Sequence, residues 1–186
     1  MQTALLVIDV QESFRHRTYW SGADVPAFLS HLNALVDGCT ARGVPIVRVF
    51  HSDGPEAVDN PFSHASGQVR PLEGLARFEA ALTCVKSRHS ALVGTPLAQW
   101  LVSQGIRRVI IAGIRTEQCC ETTTRHASDE GWDVDFVGDA TLTFDMQTPA
   151  GAPLTAAQIR ERTETVLKGR FATLATVEEA LARVPS

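Results

Sequence analysis

The chain has 186 residues, of which 44% are hydrophobic, and its formal net charge is -4. This length and composition suit one domain with a substantial core, so we expect a single domain over residues 1–186. Lysine and arginine are scattered along the chain, which argues against a nucleic-acid-binding surface, and no apolar run approaches the roughly 20 residues of a membrane span.

The cysteines and the first residues bear on the cellular compartment. Four cysteines lack both the spacing of a zinc site and the density of a disulfide framework. The chain opens without the basic and apolar regions of a secretory signal peptide. We therefore expect a cytoplasmic protein with reduced thiols, whose partners are small molecules rather than nucleic acids or membranes.

Strand and helix patterns alternate along the chain. Predicted strands cover residues 3–10, 44–50, 84–87, 107–113, 132–137 and 170–175. A helix runs from Asp24 up to Gly43, and further predicted helices cover residues 95–105, 116–130, 155–168 and 177–183. This alternation predicts an α/β fold with three layers, α/β/α, doubly wound in the Rossmann-like manner around a six-stranded, mainly parallel sheet of order 3-2-1-4-5-6.

Three reactive side chains fall where predicted strands end. Asp9 ends the first strand, Lys86 lies at the end of the third, and Cys119 follows the fourth in the first turn of a helix. Ligands of open α/β sheets bind outside these strand ends. A helix N-terminus and a nearby lysine both favour a thiolate, so Cys119 is a candidate nucleophile, although an inert buried cysteine is the alternative.

Three sequence blocks resemble the isochorismatase-like cysteine hydrolases, a family that includes nicotinamidases, carbamoylsarcosine-type amidases and ureide hydrolases. The blocks are LLVIDVQESF at residues 5–14, VKSRHSALVGTPL at 85–97 and AGIRTEQCCETT at 112–123, followed by Asp139 and Ala140 after the fifth strand. The resemblance implies a catalytic triad of Asp9, Lys86 and Cys119. Cys120 takes a position that is usually apolar, which favours a packed core thiol.

The resemblance also implies details of the turn before Cys119. It places a cis peptide bond between Ile114 and Arg115, and an oxyanion hole formed by the backbone N–H groups of Arg115 and Cys119. Phe14 and Arg115 are candidate substrate-binding residues. Arg115 could pair with a substrate carboxylate, and a salt bridge to Glu117 or to a neighbouring subunit is the open alternative.

One departure concerns metal binding. Nicotinamidases of the family hold a divalent metal through an Asp-x-His pair and a second His, whereas this chain has the reversed order His51-Ser52-Asp53, with His64 farther on. We therefore expect no metal, no cofactor and no nicotinamidase activity.

Together these features favour an enzyme that hydrolyses a C–N bond, of amide or ureide type, through a Cys119 thioester. Vinyl ether hydrolysis with Asp9 as the acid is one alternative, and a non-catalytic thiol redox or binding module that uses Cys119 and Cys120 is another. The resemblance further implies a homodimer or homotetramer.

Overall fold

A parallel sheet forms the middle layer of the protein in a computed structural model that describes residues 2–184. In chain order the strands are β1 Thr3–Ile8, β2 Ile46–His51, β3 Leu82–Lys86, β4 Arg108–Ile114, β5 Asp133–Leu142, β6 Met146–Gln147, β7 Pro153–Leu154 and β8 Thr173–Leu174. Six of them form the main sheet in the order β3-β2-β1-β4-β5-β8, and every neighbouring pair is parallel. The predicted strand order is confirmed, because β8 takes the place of the predicted sixth strand.

Helices cover both faces of this sheet. They are α1 Val25–Ala41, α2 Leu97–Ser103, α3 Glu121–Asp129, α4 Ala156–Leu167 and α5 Val177–Ala182. Leu5 and Val7 of β1 share one apolar core with α1 and α5, whereas Leu6 and Ile8 share the other with α2, α3 and the end of α4. Since neighbouring residues of a strand face opposite sides, the unbroken apolar run of β1 supplies both cores. None of the described helices is long and apolar enough to cross a bilayer.

The last strands differ from the prediction. The predicted strand at 170–175 pairs with β5 only through Thr173 and Leu174. It is short because the backbone N–H groups of Phe171 and Ala172 donate to the carbonyl of Leu167 at the end of α4, and so are not available to β5. Residues 146–154 also contribute an antiparallel ribbon, β6 with β7, that we did not predict.

Strand β5 is longer than the predicted strand at 132–137. It shifts register opposite the stretch between Ile111 and Gly113 and then pairs again, so that Thr141 lies beside Gly113. Asp139, which we placed after the fifth strand, is therefore inside β5 and exposed. The irregularity brings Thr141 next to the turn that carries the cysteine pair.

Gly113 permits the close approach of β4 to β1 at this point. Its φ is 135°, and a Cβ atom there would lie 2.0 Å from the backbone oxygen of Ile8. Residues that carry a side chain rarely adopt this φ, and the Ile8 backbone cannot move aside without disturbing the sheet. Only glycine fits between the strands that lead to Asp9 and Cys119.

Candidate active site

The three predicted catalytic side chains meet at the carboxyl edge of the sheet. Asp9 directly follows β1, Lys86 is the last residue of β3, and Cys119 lies in the turn after β4. Lys86 starts two strands away from Asp9, or about 10 Å at the usual strand spacing. A long side chain is needed to cross the end of β2, and lysine has that length.

Lys86 is the centre of the cluster. Its Nζ lies 2.7 Å from Oδ2 of Asp9, 3.3 Å from Sγ of Cys119 and 3.1 Å from Nδ1 of His51. An ammonium group has three protons, and the three neighbours use all of them. The side chains of Lys86 and Asp9 are both 0% exposed. The cluster is thus a buried ion pair that also touches the thiol.

The backbone of Asp9 has an unusual conformation that a hydrogen bond to β2 holds in place. Asp9 has a φ of 53°, a left-handed conformation that Asp tolerates better than most residues. Its N–H donates to the carbonyl of Val49 at 2.8 Å, which continues the hydrogen bonding between β1 and β2 beyond the strand. This turn points the carboxylate toward Lys86.

Cys119 sits in a π-helical turn, Thr116–Cys120, that leads into α3. The carbonyl of Arg115 accepts hydrogen bonds from the N–H groups of Gln118 and Cys120, both at 3.2 Å. Thr116 anchors the turn by donating to the hydroxyl of Thr141 at 2.8 Å. The predicted helix at 116–130 therefore begins with a wider turn, and such turns are frequent at functional sites.

Two further findings concern the residues around the turn. The peptide bond between Ile114 and Arg115 is cis. Cys119 retains 6% of its surface exposure, whereas Cys120 is completely buried. Of the two adjacent thiols, only Cys119 contacts Lys86.

The protonation state of Cys119 differs from our expectation of a thiolate. Burial raises the pKa of the Cys119 thiol to about 12, with a further increase from the negative charge of Asp9 that outweighs the opposing effect of Lys86. The helix N-terminus and Lys86 do not overcome the cost of burying a second anion beside Asp9. Burial and Asp9 therefore favour the neutral thiol over the thiolate.

The other two groups also have shifted pKa values. Burial raises the pKa of Asp9, and the nearby Lys86 charge opposes this increase. Burial alone would lower the pKa of Lys86, but Asp9 and Cys119 outweigh it, so the pKa of Lys86 is raised overall. The raised pKa of Lys86 favours the ammonium form, and the Lys86 charge favours the carboxylate form of Asp9 against the effect of burial. Oδ2 of Asp9 has the ion pair with Lys86, whereas Oδ1 has no hydrogen-bond partner among residues 2–184.

His51, which we considered from the sequence only as a metal ligand, is a neighbour of Lys86 in the site. Burial and the Lys86 charge lower its pKa to about 4, so the ring is neutral and Nδ1 can accept a hydrogen bond from the Lys86 ammonium. Gln11 fixes its backbone from both sides, since the side-chain amide donates to the His51 carbonyl at 2.9 Å and accepts from its N–H at 2.8 Å. The position of His51 at the end of β2, in register with Lys86, was the available sequence cue.

His89 is a site residue that we missed. Its Nδ1 lies 3.9 Å from Sγ of Cys119, and its ring is exposed. It follows Lys86 by three residues, in the loop after β3. His89 is therefore placed where it can contact a group bound at Cys119.

The possible metal ligands do not form a ligand set. His51 turns Nδ1 to the Lys86 ammonium, and Asp53 accepts a hydrogen bond from the N–H of Gly54. Within the described range 2–184, no three His, Cys, Asp or Glu side chains are placed together to hold a metal ion. A cation beside His51 would also have to share that position with Lys86. These residues do not fit a metal.

The two candidate substrate-binding residues have partners within the chain. Phe14 is buried, with its ring edge-on to Phe62 at 5.1 Å between centroids. Nη2 of Arg115 lies 2.9 Å from Oε1 of Glu117, and its guanidinium lies 4.6 Å from the ring of Tyr19. Of the alternatives for Arg115, the structure contains the salt bridge to Glu117.

Known proteins are similar to this chain in sequence or in fold. The family model for the isochorismatase domain matches residues 3–178. The chain is 27% identical over 182 residues to the isochorismatase family protein YrdC of Bacillus subtilis (strain 168), which covers 96% of this chain and 94% of that protein. It is 29% identical over 157 residues to nicotinamidase 3 of Arabidopsis thaliana, with 76% and 73% covered.

A solved structure of a cysteine hydrolase from Pseudomonas syringae pv. phaseolicola 1448A has the same fold. The TM-score is 0.88 at 22% identity, over 98% of this chain and 92% of the other. The match of the family model over nearly the whole chain shows that this protein belongs to the isochorismatase family and is a hydrolase.

Proposed function

We propose that the protein hydrolyses a C–N bond, of amide or ureide type, in a small molecule, with Cys119 as the nucleophile. The observation that carries this proposal is the contact of one buried lysine with both the Asp9 carboxylate and the Cys119 thiol, at 2.7 and 3.3 Å. The similarity to a nicotinamidase, an enzyme named for an amide substrate, supports the same bond type.

The first step is transfer of the thiol proton. Asp9 lies close enough to Cys119 to raise its pKa, and Oδ1 of Asp9 has no other partner in the described part of the chain. Asp9 takes the proton as the thiol attacks the substrate carbonyl, and Lys86 stabilises the charge on sulfur. Because burial and Asp9 favour the neutral thiol, we expect this transfer to accompany substrate binding.

The later steps return that proton. Attack forms the C–S bond and puts negative charge on the carbonyl oxygen, which the N–H groups of Arg115 and Cys119 would stabilise in this proposal. The C–N bond then breaks, and Asp9 gives its proton to the leaving amine. Water next attacks the thioester with Asp9 again as the base, which releases the acid and restores the thiol.

The test is ammonia release from primary amides, ureides and nicotinamide. Wild type should hydrolyse at least one of them, and Cys119→Ala should lose activity by a factor of about 10⁴ or more, because the covalent path is gone. Cys39→Ala is the matched control, since Cys39 is also buried but lies in α1, away from Lys86. Activity retained in Cys119→Ala, or hydrolysis of isochorismate alone, would refute the thioester mechanism.

A further inference from the structure

We propose that Arg17, held over the ring of Phe62, binds an anionic group of the substrate, so that the molecule hydrolysed at Cys119 carries a carboxylate. This inference rests on the proposed function. Its evidence comes from an arginine that has no carboxylate partner in residues 2–184, from the Phe62 ring beneath it and from the contact of that ring with His51 in the catalytic cluster.

Arg17 differs from the arginine two residues before it. Arg15 pairs with Glu73 at 3.1 Å and with Glu12 at 3.5 Å. Arg17 is exposed, and no carboxylate in residues 2–184 lies within ion-pair distance of its guanidinium. Its charge is available to a bound anion.

Arg17 is also held in place. Its Cζ lies 4.4 Å from the centroid of the Phe62 ring, a cation–π contact that leaves the edge of the guanidinium free to donate hydrogen bonds. The backbone N–H of Arg17 donates to the carbonyl of Phe14, and the backbone carbonyl of Arg17 accepts from the N–H of Trp20. A fixed planar guanidinium suits the two oxygens of a carboxylate better than a mobile ammonium does.

A continuous set of contacts joins Arg17 to the reacting thiol. The ring of Phe62 packs edge-on against His51, with 5.7 Å between centroids. His51 in turn contacts Lys86 at 3.1 Å, and Lys86 contacts Cys119 at 3.3 Å. Arg17 also lies close enough to His51 for its charge to lower the pKa of that ring, after the larger effects of burial, Lys86 and His89.

The other arginine near the site is less suited to this role. Arg115 is buried, and Glu117 already neutralises its charge. Glu117 is itself held by the hydroxyl of Thr143, which donates to it at 2.6 Å. A substrate carboxylate at Arg115 would have to displace Glu117 or share its partner, whereas at Arg17 it would displace no carboxylate of residues 2–184.

The first experiment compares succinamate with butyramide, which have the same amide and chain length but differ in the terminal carboxylate. Arg17→Ala should lower kcat/KM for succinamate about 10- to 100-fold, mainly through KM, and leave butyramide nearly unchanged. Arg17→Lys should retain part of the preference. Arg107→Ala is the control, because Arg107 is exposed at the opposite edge of the sheet. Malonamate and glutaramate would show the preferred spacing.

A second experiment does not require turnover. Labelling of Cys119 by 3-maleimidopropionate and by the neutral N-propylmaleimide is followed by mass spectrometry. The anionic reagent should react faster with wild type, and Arg17→Ala but not Arg107→Ala should abolish the difference. If the labelling preference is seen but no amide is hydrolysed, the proposed hydrolysis is refuted and the anion site is not. Equal effects of Arg17→Ala on charged and neutral compounds would refute the anion site.

Discussion

Replacing Lys86 with methionine tests how the buried cluster is held together. The substitution keeps a long apolar side chain but removes the ion pair of the ammonium with Asp9 and its hydrogen bonds to Cys119 and His51. Asp9 would remain buried without a cation. The cost of leaving one member of a buried pair in this state is about 3–5 kcal/mol of unfolding free energy.

The loss of stability in Lys86→Met should depend on pH. Burial already raises the pKa of Asp9, and removal of the Lys86 charge raises it further. In folded Lys86→Met, Asp9 then stays protonated over a pH range in which the unfolded chain has already released that proton. The free energy of unfolding of the variant therefore falls as pH rises through this range. The variant should be destabilised more at about pH 8 than at about pH 5.

Urea unfolding at both pH values measures this effect. Asp9→Asn combined with Lys86→Met should be less destabilised than Lys86→Met alone, because asparagine has no charge to bury and tolerates the φ of 53°. Lys168→Met is the matched control, since Lys168 is exposed and its loss should cost less than about 0.5 kcal/mol. Equal destabilisation at the two pH values, with no recovery in the double variant, would contradict this account of the ion pair.

Two further predictions concern Gly113 and His51. Gly113→Ala should lower the free energy of unfolding by about 3 kcal/mol or more, since its Cβ would meet the Ile8 backbone. Gly131→Ala, with a φ of 92° and open space around the Cβ, should lower it by about 1 kcal/mol. Similar losses for the two variants in urea unfolding would refute the close-contact explanation. His51 has a pKa of about 4 in the folded protein, against an ordinary value of 6.5. Between these two pH values the unfolded chain binds a proton that the folded protein does not, so the free energy of unfolding should rise as pH rises. We expect a rise of about 2 kcal/mol after allowance for the partial exposure of the ring. His51→Asn should show a correspondingly smaller rise in the same titration, and an unchanged slope would show that His51 is not held neutral.

The main outline of the active site could be predicted because its cues are local. Apolar runs that end at Asp9, at Lys86 and just before the Cys119 turn mark strand ends, and parallel strands bring such ends to one edge of a sheet. The alternation of strands and helices likewise predicted the order of the main sheet. The short β8 and the extension of β5 were not predictable in this way, because they depend on where backbone N–H groups find partners in other elements.

The sequence by itself determined the α/β architecture and brought Asp9, Lys86 and Cys119 into consideration together, since both follow from hydrophobic pattern and chain order. Only the tertiary structure decided that burial and Asp9 raise the pKa of the Cys119 thiol, that His51 completes the hydrogen bonding of Lys86, and that Glu117 pairs with Arg115 while Arg17 has no carboxylate partner among the described residues. Protonation and pairing depend on burial and on charges from elements far apart in the chain, and these distances are fixed only when the sheet and its loops assemble.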